Sequence, residues 1–185
     1  VAERNVALCM PELGEPERNA LVREHFAWLG RSLLERSVLW HASPQRLRRL
    51  IHVEGDVHLA ERTDRPVMWL VPHFMALEVA ATAVQLFQSR RGGTIYQAQS
   101  NPVFDAAMRR GRERFGNSVL FSRHDGAKQL IRTIRQEKLG FFNLPDMDFG
   151  LKDAAFVPFF NQPAATLLAP SRMAKMLDMV VQPVL

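Results

Sequence analysis

The chain has 185 residues, 47% of them apolar and 23% charged, with a net charge of +5. That is long enough for one domain with a sizeable core, and the basic balance favours an anionic partner: nucleic acid, phospholipid headgroup, phosphorylated substrate or acidic protein. The single cysteine, Cys9, excludes an internal disulfide and a cysteine-based zinc site, and it fits a reducing compartment.

The opening residues, "VAERNVALCMPE", carry charge where a secretory signal needs an apolar core. No apolar run reaches the ~20 residues that cross a bilayer. Glu15 to Trp40 has the period of a long amphipathic helix, with Val22, Phe26, Leu29 and Leu33 at three- and four-residue steps. Ser43 and Pro44 then read as the N-cap and first residue of another helix. From Ile51 the texture changes. The runs "IHVEG", "VMWLV", "GTIYQ", "SVLF", "LGFFNL", "AFVPFF" and "MVVQPVL" have the look of strands. Helical periods lie between several of them, over residues 74–88, 102–115, 125–137 and roughly 164–177. Asn101-Pro102 and Asp125 are helix starts, Gly116 a stop, and Pro170 delays or kinks the last helix. The alternation implies an α/β fold with a mostly parallel central sheet flanked by helices. Residues 1–50 read as a helical lead-in and 51–185 as the α/β core. The chain begins without Met and ends in an apolar, strand-like run, so it reads as a fragment whose core is incomplete at the C-terminus.

Within "VMWLVPHFMALE", Pro72 ends the apolar run because it cannot donate to a ladder. His73 then falls at the carboxyl end of a strand, where open α/β sheets bind ligands. With a helix starting near Phe74, His73 folds back toward Glu78 one turn in, giving an imidazole oriented by a carboxylate. No serine or cysteine belongs to this pair, which suits a reaction whose substrate brings the hydroxyl. His73 takes the alcohol proton, and the alcohol attacks an activated acyl group. Spacing alone is a weak motif, and a satisfied His–Glu pair without chemistry is the plain alternative.

Four blocks in order, "HFMALE", "YQAQSNPVFDAAMRRGRERFG", "LPDMDFG" and "FVPFFNQPAAT", resemble the late acyltransferases of lipid A biosynthesis, the lauroyl/myristoyl type. These are relatives of the glycerol-phosphate acyltransferases with a His-x4-Asp/Glu motif. The resemblance covers nearly the whole chain. It implies transfer of a fatty acyl chain from acyl carrier protein to a hydroxyl of a Kdo-bearing lipid A precursor. It implies work at the cytoplasmic face of the bacterial inner membrane, against the membrane surface, with no cofactor, no metal and no nucleic acid. His73 is then the general base and Glu78 its orienting partner. The family's apolar N-terminal anchor and further C-terminal segment are not seen here. Many members have Tyr-Arg where this chain has Tyr96-Gln97, and Gln97 donates a hydrogen bond without the charge.

The other candidate substrate-binding residues are Asn101, Arg110, Arg112, Asp146 and Asp148. In "MRRGRERFG", Arg110 and Arg114 share a helix face. This stretch is either a solvated basic face or a grip for phosphate or carrier protein. The resemblance points to Arg112 as substrate-facing. Asp146 and Asp148 sit on a loop after an apolar run, where such pairs are often turn chemistry. The resemblance places them beside the dyad, shaping the acceptor site and holding arginines. A metal-dependent hydrolase or transferase acting on a phosphorylated substrate through Asp146, Asp148 and His73 is the alternative. A basic nucleic-acid module is the third reading, but no RNA-binding aromatic signature or recognition-helix motif is present. Phe141, Phe142, Phe156, Phe159 and Phe160 read as core, and His25, His41, His52, His58 and His124 as structural or surface.

Overall fold

A computed structural model describes residues 1–122, 126–147 and 150–185. Helices α1 (Ala2–Cys9), α2 (Glu15–His41) and α3 (Pro44–Leu50) come first. Strands and helices then alternate: β1 (Val67–Leu70), α4 (Leu77–Phe87), β2 (Gly92–Tyr96), α5 (Pro102–Arg112), β3 (Ser118–Ser122), α6 (Ala127–Glu137) and β4 (Gly140–Asn143). A hairpin of β5 (Ala154–Phe159) and β6 (Gln162–Leu167) follows, then α7 (Ala169–Met176) and β7 (Val180–Pro183). The central sheet has five strands in the order β3-β2-β4-β1-β7, and every pairing in it is parallel. The α/β expectation therefore holds.

The two innermost strands carry side chains into separate cores, as parallel strands covered on both faces must. Met68 of β1 and Phe141 of β4 pack on one face with Ile134 of α6, Leu139, Leu177 and Met179. Val67, Trp69 and Phe142 pack on the other with Val84 of α4 and Ala60. Val67, Met68, Trp69 and Phe141 are almost completely enclosed. Each such side chain contributes about 1.5–3 kcal/mol of burial. A third cluster ties the lead-in to the core: Leu39 of α2 and Leu47 of α3 against Leu86 of α4. Ser43 caps α3 by accepting from the Arg46 N–H, with Pro44 in its first turn.

Several expectations shift. "IHVEG" forms no strand: Ile51 joins the Leu47–Leu86 cluster, and no neighbouring strand pairs with the segment. The stripe on α2 is buried only at Val22 and Leu39, while Phe26, Leu29 and Leu33 are exposed. The last helical pattern divides into β6 and a helix that waits until Ala169, with Pro170 in its first turn. Strands β5 and β6 form a separate antiparallel hairpin. Phe156, Phe159 and Phe160 there are exposed, whereas Phe141 and Phe142 are core as expected. Helix α5 stops at Arg112, and Gly116 turns the chain beyond it at φ +72°. Asp125 and His124 lie outside the described residues. Among the described residues no helix is long and apolar enough to cross a membrane.

Candidate active site

The site forms where β1 and β4 end on the same edge of the sheet. Parallel pairing sets Leu70 opposite Asn143, and Val71 N–H extends it by donating to the Asn143 carbonyl at 2.9 Å. The chain past Leu70 gives Val71, Pro72 and His73, and the chain past Asn143 gives Leu144, Pro145 and Asp146. Equal steps from paired residues bring His73 and Asp146 together. Asp146 Oδ2 accepts from the His73 backbone N–H at 2.7 Å. Asp146 Oδ1 lies 2.8 Å from His73 Nδ1.

Burial pushes the Asp146 carboxyl up, but the hydrogen bonds from the His73 N–H and ring outweigh it and hold the group below the ordinary carboxylate value. An ionised carboxylate facing Nδ1 places the ring proton there, leaving Nε2 as the basic nitrogen. Among the described residues the carboxylate in contact with the imidazole is Asp146. Among the described residues the side-chain partner of Asp146 is the histidine.

The helix after His73 starts later than Phe74. Phe74 N–H donates to the Pro72 carbonyl at 2.7 Å and Leu77 N–H to the Phe74 carbonyl at 3.1 Å, and regular α4 begins at Leu77. Glu78 thus lies in the first turn of α4, where the helix dipole favours a carboxylate. Its partner is Arg112 at the end of α5. Arg112 Nε lies 3.2 and 3.4 Å from the two carboxylate oxygens, and Nη2 also bonds Oε1. The pair is largely enclosed, with side-chain exposures of 12% for Glu78 and 25% for Arg112. No hydrogen bond joins His73 to Glu78 among the described residues, although both line one pocket of about 240 Å³. Phe74, Met75, Leu77 and Val79 supply its apolar wall on one side, and Leu29, Ser32, Glu35, Arg36 and Leu39 of α2 close the other.

Arg112 reaches Glu78 because α5 lies very close to α2. A Cβ on Gly111 would come within 2.4–2.6 Å of three Trp40 ring atoms, so only glycine admits the Trp40 indole here. Tyr96 sits under both Arg109 and Arg112, with guanidinium carbons 5.3 and 5.6 Å from its ring centroid. Its hydroxyl donates to Asp105 at 2.5 Å. Burial first, and that bond to an anion second, push the phenol up to about 12. The Tyr96 bond and the Gln99 N–H hold Asp105 low.

The remaining candidates scatter. Asn101 spends its side-chain oxygen as the N-cap of α5, accepting from Val103 and Phe104 N–H at 3.0 and 3.1 Å. Gln97 is exposed, and its carbonyl accepts from the Gln99 side chain. Neither Gln97 nor Arg110 lines the pocket. Arg114, expected to share a face with Arg110, turns inward and donates to the Leu39 and Ala42 carbonyls at the end of α2. Asp148 lies outside the described residues. Among the described residues no three or more His, Cys, Asp or Glu side chains gather as a metal site. Sequence reading missed the α2 wall and the Tyr96–Asp105 bond; the only trace of the first was the helical spacing of Leu29 and its neighbours.

The whole chain, residues 1–185, matches the family described as bacterial lipid A biosynthesis acyltransferase. It is 35% identical over 173 residues to the lipid A biosynthesis myristoyltransferase of Escherichia coli, across 92% of this chain and 53% of that protein. It is 32% identical over 163 residues to a lipid A biosynthesis acyltransferase of Haemophilus influenzae, across 88% of this chain and 51% of that protein. Identity to the lipid A biosynthesis lauroyltransferase of Escherichia coli is 30% over 179 residues, across 95% of this chain and 57% of that protein. The chain spans about half the length of the curated relatives it matches.

Proposed function

The chain belongs to the bacterial lipid A biosynthesis acyltransferase family, and on that premise we propose that its parent protein moves a fatty acyl chain from acyl carrier protein to a hydroxyl of a Kdo-bearing lipid A precursor. The work is done at the cytoplasmic face of the inner membrane. His73 is the general base. The acceptor hydroxyl gives its proton to Nε2 as its oxygen attacks the thioester carbonyl carbon. The tetrahedral intermediate collapses, the carbon–sulfur bond breaks, and the imidazolium returns the proton to the departing thiolate. An ester and a free carrier thiol are the products. Asp146 keeps the proton on Nδ1 and stabilises the imidazolium between the two transfers.

Glu78 was expected to orient His73 directly. In this reading it acts from the same pocket wall, fixed by Arg112, and Asp146 takes the contact on the ring. The observation that carries the proposal is the His73 Nδ1–Asp146 contact at 2.8 Å beside a pocket walled by apolar side chains. A base of this kind contributes roughly 10²–10⁴-fold in rate.

The test uses the full-length parent in membranes, acyl carrier protein loaded with a range of chain lengths, and a tetraacylated lipid A precursor. Mass spectrometry of the lipid reads the product. An added acyl mass from the native enzyme that disappears in His73→Ala and Glu78→Ala supports the proposal. No added mass from the native enzyme with any donor rejects the substrate assignment, and undiminished product from His73→Ala rejects the base.

A further inference from the structure

Among the described residues, the pocket beside His73 has in Arg36 a cation that the catalytic reading leaves unused. Each other charged group on its wall is engaged: His73 with Asp146, Glu78 with Arg112, and Glu35 with Arg31 at 2.7 Å. Arg36 of α2 lines the same pocket. Its Nε is buried and has no hydrogen-bond partner among the described residues, and no ion pair involves it there. Buried polar nitrogens in folded proteins nearly always have a partner, and a guanidinium is never relieved of its charge by losing a proton. An acceptor on a ligand seated in the pocket would satisfy it.

The surroundings describe that ligand. Leu29, Leu39, Phe74, Met75, Leu77 and Val79 give the pocket that Arg36 lines an apolar character. A molecule with an anionic head on an apolar body fits such a lining. A planar fork of N–H donors matches phosphate oxygens best. We propose that Arg36 is a substrate-binding residue that holds a phosphate group of one substrate in the His73 pocket. This rests on the acyltransferase reading, in which two phosphates are at hand: the phosphodiester of the carrier protein's prosthetic arm and a phosphate of the lipid acceptor. It also gives the helical lead-in a part in the site, since α2 then binds substrate as well as bracing α4.

The experiment uses the full-length protein with Arg36→Gln and Arg36→Lys. Calorimetric binding of dodecyl phosphate is compared with dodecanol, so the first readout needs no acyl transfer. Native protein prefers dodecyl phosphate by about tenfold to hundredfold, the usual scale for a charged hydrogen-bonding group. Arg36→Gln loses the preference, and Arg36→Lys, a point charge without the fork, keeps part of it. Steady-state kinetics with donor and acceptor varied separately then name the source. A KM rise of about tenfold for the acyl carrier donor alone identifies the carrier arm, and the same rise for the lipid alone identifies the acceptor phosphate. An equal preference in native and Arg36→Gln protein, or none in the native, overturns the proposal. So does a lowered unfolding temperature with the preference intact, the mark of a structural role. Native protein that binds dodecyl phosphate through Arg36 yet transfers no acyl group would fail the acyltransferase reading alone.

Discussion

Replacing Arg112 with Met leaves the Glu78 carboxylate in a pocket wall where only 12% of its side chain is exposed. At an effective dielectric constant of about 20, opposite unit charges about 4 Å apart attract by about 4 kcal/mol. Desolvation offsets part of that attraction in the intact pair, but the variant leaves one charge buried with no counter-charge. Breaking a fully buried pair this way costs about 3–5 kcal/mol. Because Arg112 is itself 25% exposed, a loss of about 2–4 kcal/mol is expected here. At about 2–4 °C per kcal/mol for a domain of this size, the unfolding temperature falls by roughly 5–15 °C. The assay is thermal unfolding followed by circular dichroism, arranged as double-mutant cycles. Glu78→Gln with Arg112→Met recovers part of the loss, giving a coupling of about 1.5 kcal/mol or more, whereas Glu78 with His73 couples by less than about 0.5 kcal/mol. An Arg112→Met shift below about 2 °C, or a stronger Glu78–His73 coupling than Glu78–Arg112 coupling, would refute the assignment of Glu78 to Arg112.

Gly111→Ala drives a Cβ into the Trp40 ring and costs about 1–3 kcal/mol by overpacking; denaturant unfolding measures it, and Trp40→Leu in the same background recovers part. Tyr96 is the only tyrosine of the chain, so ultraviolet titration reads it directly. Its phenol ionises near 12 when folded against 10.0 for the ordinary group. Stability from this group is complete below pH 10 and lost as pH rises toward 12. Asp105→Asn brings the folded value down, and an unchanged titration contradicts the hydrogen bond. Glu61 is held near 2, chiefly by the Ser89 backbone N–H, then by the Ser89 hydroxyl and His58. Its contribution is therefore present above pH 4.5 and lost as pH falls toward 2. Glu61→Gln flattens the acid fall in unfolding temperature, and an identical acid profile would show that the Ser89 bonds do not hold it.

Local signals in the chain proved legible where the physics is local. The apolar run before Pro72, the Ser43-Pro44 helix start and the Asn101 cap all appear as the residue types demand. His73 was placed at a strand end by Pro72 alone. Its partner was not, because the Asp146 contact depends on β1 and β4 pairing in parallel with Leu70 opposite Asn143, a register set across 73 residues. Glu78 meeting Arg112 is likewise a matter of α5 closing on α2 through Gly111. The Phe156–Phe160 run showed a strand but not which faces other elements would cover, and the hairpin leaves Phe156, Phe159 and Phe160 exposed. Asn101 carries two expectations, a helix start and a substrate contact, and its side-chain oxygen serves the first by accepting from the Val103 and Phe104 N–H groups.

The central claim is that Asp146 sets the tautomer of the base. In Asp146→Asn the side-chain oxygen still accepts from the His73 N–H, but the amide NH₂ then faces Nδ1. The ring proton moves to Nε2, and the base is lost with the geometry intact. The decisive measurement is the single-turnover acyl-transfer rate of the full-length enzyme with saturating donor, native against Asp146→Asn. The account predicts a fall on the order of 10²–10⁴-fold with the unfolding temperature little changed. A rate within about threefold of native, far inside the range expected for a lost general base, would show that Asp146 does not orient the catalytic histidine.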